Sequence, residues 1–332
     1  MKKVLYLLLA GSVLLSCAKR EDDVSEGPNI TDIFGDFQML ADFVVEDETV
    51  DFSAGETTHF NAIFNKLIDW EIQITGLSSG SVKRITGTSS EITSANSLWG
   101  GNTTELPMFS TEECAVQLSF ATNEFIFHDT LEITGVKTNE AFIIADFETG
   151  WNSDWLSFVQ SGADMSFTIT DNVFPGEGNY YYDMGGEVNW DWLIGMIEFP
   201  ADAFENGYDV SDDPSEVYFN AFLNVPEEIN NELILFQFRE DENEDGNFNE
   251  STEDMYSIEI SGLSPGWQHI YVRYSDLVVL VNGQPAAPNG NAIHEPHKLD
   301  KISVLFLADP SSGYSQTLMD YVVFTEGGPL NP

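Results

Sequence analysis

The sequence is poor in basic charge: 12 Lys and Arg stand against 56 Asp and Glu in 332 residues, a formal net charge of −44. A surface of that sign repels nucleic acid and anionic lipid, so neither is expected as a partner. Cysteine is nearly missing, with Cys17 and Cys114 alone, which excludes a disulfide framework if Cys17 is otherwise engaged. Cys114 alternates with Val116, Leu118 and Phe120 on one apolar face, as a core thiol does. Long hydrophobic runs are also lacking. The apolar stretch over residues 4–15 falls short of the about 20 residues that cross a bilayer. Helical periodicity is almost absent. No Gly-x-Ser-x-Gly elbow, phosphate loop or dinucleotide fingerprint occurs. In His294-Glu295-Pro296-His297, Pro296 forbids the helix that would put both imidazoles on one side, so the segment reads as a surface loop.

What is present begins with Lys2 and Lys3 ahead of the apolar stretch, the layout of a secretion signal. It ends in Leu14-Leu15-Ser16-Cys17, which resembles a lipobox. That resemblance implies cleavage after residue 16 and lipid on Cys17, anchoring the chain to a membrane. Cleavage removes Lys2 and Lys3 and no acid, so the mature charge is more negative still. Residues 17–35, with Lys19-Arg20-Glu21-Asp22-Asp23, read as a solvated tether. The acidic part also resembles the signal of surface-exported Bacteroidota lipoproteins, which implies the outer membrane and the cell exterior.

The rest predicts an all-β protein. Short alternating runs are separated by Gly, Asn, Asp, Ser and Pro clusters. Over residues 36–138, Trp70, Ile72 and Ile74 alternate with Glu71, Gln73 and Thr75, and the length suits an immunoglobulin-like sandwich. Trp70 is expected in the core, and Trp99, in a glycine-rich loop, is a possible contact. Residues 139–326 carry strand patterns at 140–148, 165–170, 180–184, 193–199, 217–225, 233–239, 255–260, 269–274, 302–307 and 318–325, enough for a jelly roll. Residues 327–332 remain as a tail.

Two acidic features suggest a hard cation. Asp241, Asn243 and Asp245 place oxygens at alternate positions before Gly246, as a loop curling around Ca²⁺ requires. Glu253 comes one residue late for an EF-hand, and strands flank the loop. A solvated hairpin tip is the alternative. In the other feature, Asp146 and Glu148 share a face with Phe142 and Ile144, and Asp320 shares one with Leu318, Val322 and Phe324. Acids on apolar faces are costly unless paired or metal-bound.

Asp146-Phe147-Glu148 with Gly150 and Trp151, the run from Pro175 through Gly176, Glu177, Gly178, Asn179 and Tyr180 to Tyr182, and the closing segment from Met319 to Thr325 resemble the galactose-binding-like sandwich of carbohydrate-binding modules. The resemblance implies a structural Ca²⁺ at Glu148 and Asp320. The chain as a whole resembles surface glycan-binding lipoproteins of Bacteroidota polysaccharide-utilisation loci, with an immunoglobulin-like (PKD-like) first domain. What that implies is non-catalytic capture of a polysaccharide or oligosaccharide, with an outer-membrane transporter as a further partner. Aromatic rings stack on the C–H faces of sugars, and Trp151, Trp155, Trp190, Trp192 and Tyr182 are the expected platform, against burial as the common fate of such rings. A glycoside hydrolase or polysaccharide lyase on the jelly roll, or a purely adhesive surface protein, are the rival readings. With so few Lys and Arg, a lyase site for uronates is disfavoured.

Overall fold

The computed structural model describes residues 35–332 except 163, 188–192 and 309–312, so Cys17, Trp190 and Trp192 lie outside the described residues. The described chain is all-β, and no described helix is long and apolar enough to cross a membrane.

The first unit is built from β1 (Met39–Val45), β2 (Thr49–Asp51), β3 (Phe60–Gly76), β4 (Val82–Ile92), β5 (Glu113–Phe120) and β6 (Asn123–Gly135), in the order β1-β3-β5-β6-β2 with β4 also on β3. The long β3 pairs with β1 through its first residues and with β5 through its last, which lets the sheet wrap around its own core. Trp70, Ile72 and Ile74 point into that core opposite Phe120, Leu118 and Val116, as their alternation predicts. Cys114 is buried beside them, and burial pushes its thiol up to about 12, so it is an inert core thiol. Trp99 corrects the expectation of a loop contact. It is buried edge-on between Phe52 and Phe109, and its indole N–H donates to the Asn102 carbonyl at 2.8 Å.

The second unit is a sandwich of two antiparallel sheets of the jelly-roll class. One sheet runs β15 (Gly266–Arg273), β12 (Val217–Val225), β19 (Tyr314–Glu326), β10 (Tyr181–Glu187) and β9 (Ser166–Thr170), with β7 (Phe142–Ala145) also on β19. The other runs β14 (Met255–Ser261), β13 (Glu232–Glu240), β18 (Leu299–Ala308), β11 (Leu193–Pro200) and β8 (Leu156–Val159). The core between them holds Phe219, Phe236, Val304, Met319 and Phe324. A short hairpin of β16 (Leu280–Val281) and β17 (Gln284–Pro285) adjoins β14.

Strands β12 and β19 are buried on both faces because the first unit covers their outer side. Met108 packs there with Phe222, Tyr321, Val323 and Leu330. The last six residues are therefore no free tail. Leu330 N–H donates to Asn220 at 2.9 Å, and Thr103 N–H donates to the Pro332 carbonyl at 2.6 Å.

One register expectation is overturned. Asp320 does not share a face with Val322 and Phe324, because β19 bulges at this point: Tyr321 has φ +42° and the pairing with β12 slips between Asn220 and Phe222. Met319, Val322 and Phe324 enter the core, while Asp320 and Tyr321 go to the outer side against the 171–180 loop. A bulge shifts alternation by one residue, which no periodicity count detects.

Candidate functional site

The site is a corner where the segment after β7 meets the loop between β9 and β10. Alternation stops at Ala145 because Phe147 takes φ +61°, unusual for a bulky residue. Its ring fixes this turn: Phe147 is buried, stacked on Tyr182 at 5.5 Å and edge-on to Trp155 at 5.7 Å. Gly150 closes the turn by donating its N–H to the Phe147 carbonyl.

The carboxylate of Glu148 then reaches across to the other loop. It accepts from the Asn179 N–H at 2.7 Å, the Asn179 side-chain amide at 2.9 Å and the Tyr180 N–H at 2.8 Å. Gly178 makes this approach possible: it has φ +61°, and a Cβ there would lie 2.5 Å from Glu148 Oε1. From below, Asp320 accepts the Glu177 N–H at 2.9 Å and the Tyr321 N–H at 2.7 Å. The loop is thus clamped by two acids about 170 positions apart in sequence, which charge-assisted bonds to backbone N–H make firm.

Beside this corner lies a groove of about 680 Å³, walled by Trp151, Tyr180, Phe167, Ile169 and Val159, with Thr149, Ser157 and Thr168 among its polar groups. Trp151 is 44% exposed and Tyr180 is 40% exposed. Trp151 rests edge-on against Trp155 at 5.6 Å and tilts over Tyr182 at 6.2 Å, so an open ring is backed by a packed aromatic column. A larger hollow of about 840 Å³ lies between β13, β18 and the β16–β17 hairpin, but its walls are leucines with Gln237, Glu259 and Gln284, and no aromatic ring lines it among the described residues.

The expected residues divide accordingly. Trp151 is where the sequence suggests. Trp155 corrects the expectation: it is only 8% exposed, since its ring turns inward just before β8 and packs edge-on against Phe147 and Phe199. Tyr182 is buried and reaches the groove only as part of its floor. Trp190 and Trp192 lie outside the described residues. Tyr180 was legible as a turn aromatic but was not singled out, and Glu177 gave no signal in the sequence.

The acids are placed as follows. Burial raises Asp320 well above the usual carboxylate range, and the charges of Glu177 and Glu148 add to it. Burial, then the charges of Glu148 and Asp146, push Glu177 up to about 7. This all-oxygen set suits a hard cation by chemistry. By position it does not gather: among the described residues no three His, Cys, Asp or Glu side chains converge as around a metal ion. In the other loop Asp241 accepts from the Asp245 and Gly246 N–H groups, Asp245 from the Asn247 N–H, and the Asn243 amide donates to Glu253. Asp241 and Asp245 thus serve the loop's own backbone, and Asn243 serves the Glu253 carboxylate.

No protein-family model matches the chain, and no curated protein matches it. Among solved structures, the chain is similar to a family 11 carbohydrate-binding module from Clostridium thermocellum in complex with a β-1,3-1,4-mixed-linked tetrasaccharide, at 14% identity and TM-score 0.38, covering 57% of this chain and 98% of that one. It is also similar to SGBP-B from a complex xyloglucan utilisation locus in Bacteroides uniformis, at 11% identity and TM-score 0.35, covering 85% of this chain and 72% of that one. At such identities and scores the likeness assigns no activity to this chain.

Proposed function

We propose that this chain binds glycan without transforming it, held to the outer membrane by lipid on Cys17 and facing the cell exterior, with the groove beside Trp151 as its site. The observation that carries the reading is the exposed Trp151 indole set on a packed aromatic column beside Tyr180. A sugar ring presents C–H groups on its face and hydroxyls at its edge. The open indole takes the face, and Thr149, Ser157 and Thr168 offer partners to the edge. Because Trp155 and Tyr182 support the indole from behind, little side-chain entropy is lost on binding.

The same lining supports capture without hydrolysis. Hydrolysis of a glycosidic bond by the usual route needs two carboxyls about 5–10 Å apart across the bond. Among the described residues that line the groove Glu148 is the one carboxylate, and both its oxygens accept bonds from the 171–180 loop. A structural calcium ion at Glu148 and Asp320, which the resemblance implies, stays in the proposal as charge relief beneath the loop, although no three acids converge there among the described residues. The loop does not depend on it, since each clamping acid has backbone partners.

The test is retardation of the lipid-free protein in gels containing xyloglucan, barley β-glucan, galactomannan or arabinoxylan, with products assayed in parallel. Retardation by at least one glycan without product release, lost in Trp151→Ala, is the expected result. A folded protein that no glycan retards would overturn the reading.

A further inference from the structure

The 171–180 loop has a second side. There, Met108 to Thr111 and Val136 of the first unit face Phe174, Glu177 and Asn179 across a cleft of about 600 Å³. Residues 178–180 are the ridge between the two hollows, with Gly178 and Asn179 bordering the cleft and Tyr180 bordering the groove.

The ridge is fixed from every side. Met108 N–H donates to the Gly176 carbonyl at 2.8 Å, and the Trp267 indole N–H donates to the Phe174 carbonyl at 2.8 Å. Glu148 and Asp320 hold the far end of the loop. The first unit is held in its place by the chain's own end: Asn102 donates to Asn331 at 3.2 Å, and the Lys137 ammonium donates to the Asn331 carbonyl. The two hollows therefore keep one relative position, as a composite site needs, and domain junctions are common places for such sites.

Their chemistry matches. Phe174 is 37% exposed and Val173 is 50% exposed, and beside them stand Ser110, Thr111, Asn172 and Asn179. This repeats the groove's combination of an open ring with hydroxyl and amide groups. Among the described residues that line either hollow there is no Lys, Arg or His, while Glu148, Glu177 and Asp171 are present. A carboxylated or sulfated chain would meet only repulsion there, whereas hydroxyls find acceptors.

We infer that the groove and the inter-unit cleft are two subsites for one extended, uncharged glycan that crosses the ridge at Asn179–Tyr180, which makes the first unit part of the binding surface. The inference rests on the glycan reading above and adds chain length and charge to it. Two linked subsites give a long chain more affinity than either hollow alone, since the second contact is intramolecular.

The test uses the lipid-free chain with all described residues retained, and titration calorimetry with the same four neutral polysaccharides and size-fractionated digests of each. Trp151→Ala is expected to weaken short and long fragments alike, by about tenfold or more. Phe174→Ala, and Thr111→Trp to fill the cleft, are expected to weaken long fragments by about tenfold and leave short ones unchanged. Melting curves identify any variant that fails to fold, and the exposed Thr111 site keeps the test open if Phe174→Ala does. Equal affinity for short and long fragments, or cleft variants that bind long fragments like the parent, overturns the inference and leaves the groove standing. Binding of no fragment at all overturns the glycan reading itself.

Discussion

In the first unit, Glu112 is a buried acid that gathers four donors: the Ser79 hydroxyl at 2.5 Å and the N–H groups of Ser78, Ser79 and Ser110 at 2.7, 2.9 and 3.1 Å. Burial pushes its carboxyl up, but these bonds outweigh burial and hold it below the usual range. In the second unit, Glu240 is more deeply buried and has only two donors, the Tyr274 hydroxyl and the Glu295 N–H, while its other oxygen has no partner among the described residues. Burial pushes it up to about 8. The difference teaches that the charge state of an acid follows from burial set against the donors aimed at it: four donors outweigh burial at Glu112, and two do not at the deeper Glu240, where Glu295 and Asp254 add repulsion. The first unit uses an ionised acid as a loop staple, and the second stores acids that favour a proton.

Removing the staple should have the largest effect. Glu112→Ala orphans three backbone N–H groups, of which the buried one at Ser79 costs about 1–3 kcal/mol and the part-buried ones at Ser78 and Ser110 less. The first unit should then lose roughly 2–3 kcal/mol, read as a drop in denaturation midpoint. Glu240→Gln, which keeps the shape and removes the charge, should raise stability at pH 8 instead. A loss there would break the comparison.

Changing pH should separate the units next. For Glu240, raised from 4.5 to about 8, the stability it contributes is fully present below about pH 4.5 and is lost as pH rises through about 8. Glu177 and Asp320 act in the same sense. For Glu112 the sign reverses: its contribution is present above about pH 4.5 and lost as pH falls through its lowered value. Hydrogen exchange at β13 should therefore slow between pH 8 and 5, after correction for intrinsic rates, while β5 keeps its protection until more acid conditions. A melting temperature higher at pH 5 than at pH 8 by about 5 °C would match the usual ~2–4 °C per kcal/mol. Parallel change in both strands would sink this account.

A smaller effect should follow calcium. By relieving the repulsion among Glu148, Glu177 and Asp320, it should raise the melting temperature by a few degrees, about 1–2 kcal/mol, relative to EDTA. The variant Glu177→Gln should shrink that difference. Identical curves in calcium and EDTA would remove the ion from the proposal. Least affected should be Asp245→Ala, since its carboxylate serves only a neighbouring N–H in an exposed turn; within about 0.5 kcal/mol of the parent is the expectation.

Much of the fold was legible. The strand pattern over 217–225 coincides with β12, and that over 302–307 lies within β18, because short runs rich in β-branched and aromatic residues suit the pleat even where both faces are buried. Trp70 and Cys114 are in the core as their patterns indicate. The short β8 was missed: four residues give too little period to read, and all four are exposed. The candidate site was half legible. Trp151 and Trp155 bracket the same polar tripeptide, yet one is open and the other buried, since only packing against Phe147 and Phe199 distinguishes them.

The residue pattern by itself determined an all-β chain with a strongly acidic surface, its strand positions and its main core faces, because hydrophobic alternation and net charge are properties of the chain read along its length. Tertiary structure alone decided which tryptophan stands open, that Asp320 turns outward, and that the chain's last residues seal the two units around a cleft. Those outcomes depend on which distant backbone N–H groups meet which carboxylates, and on a one-residue bulge. Long-range geometry of that kind leaves no local signature in the order of residues.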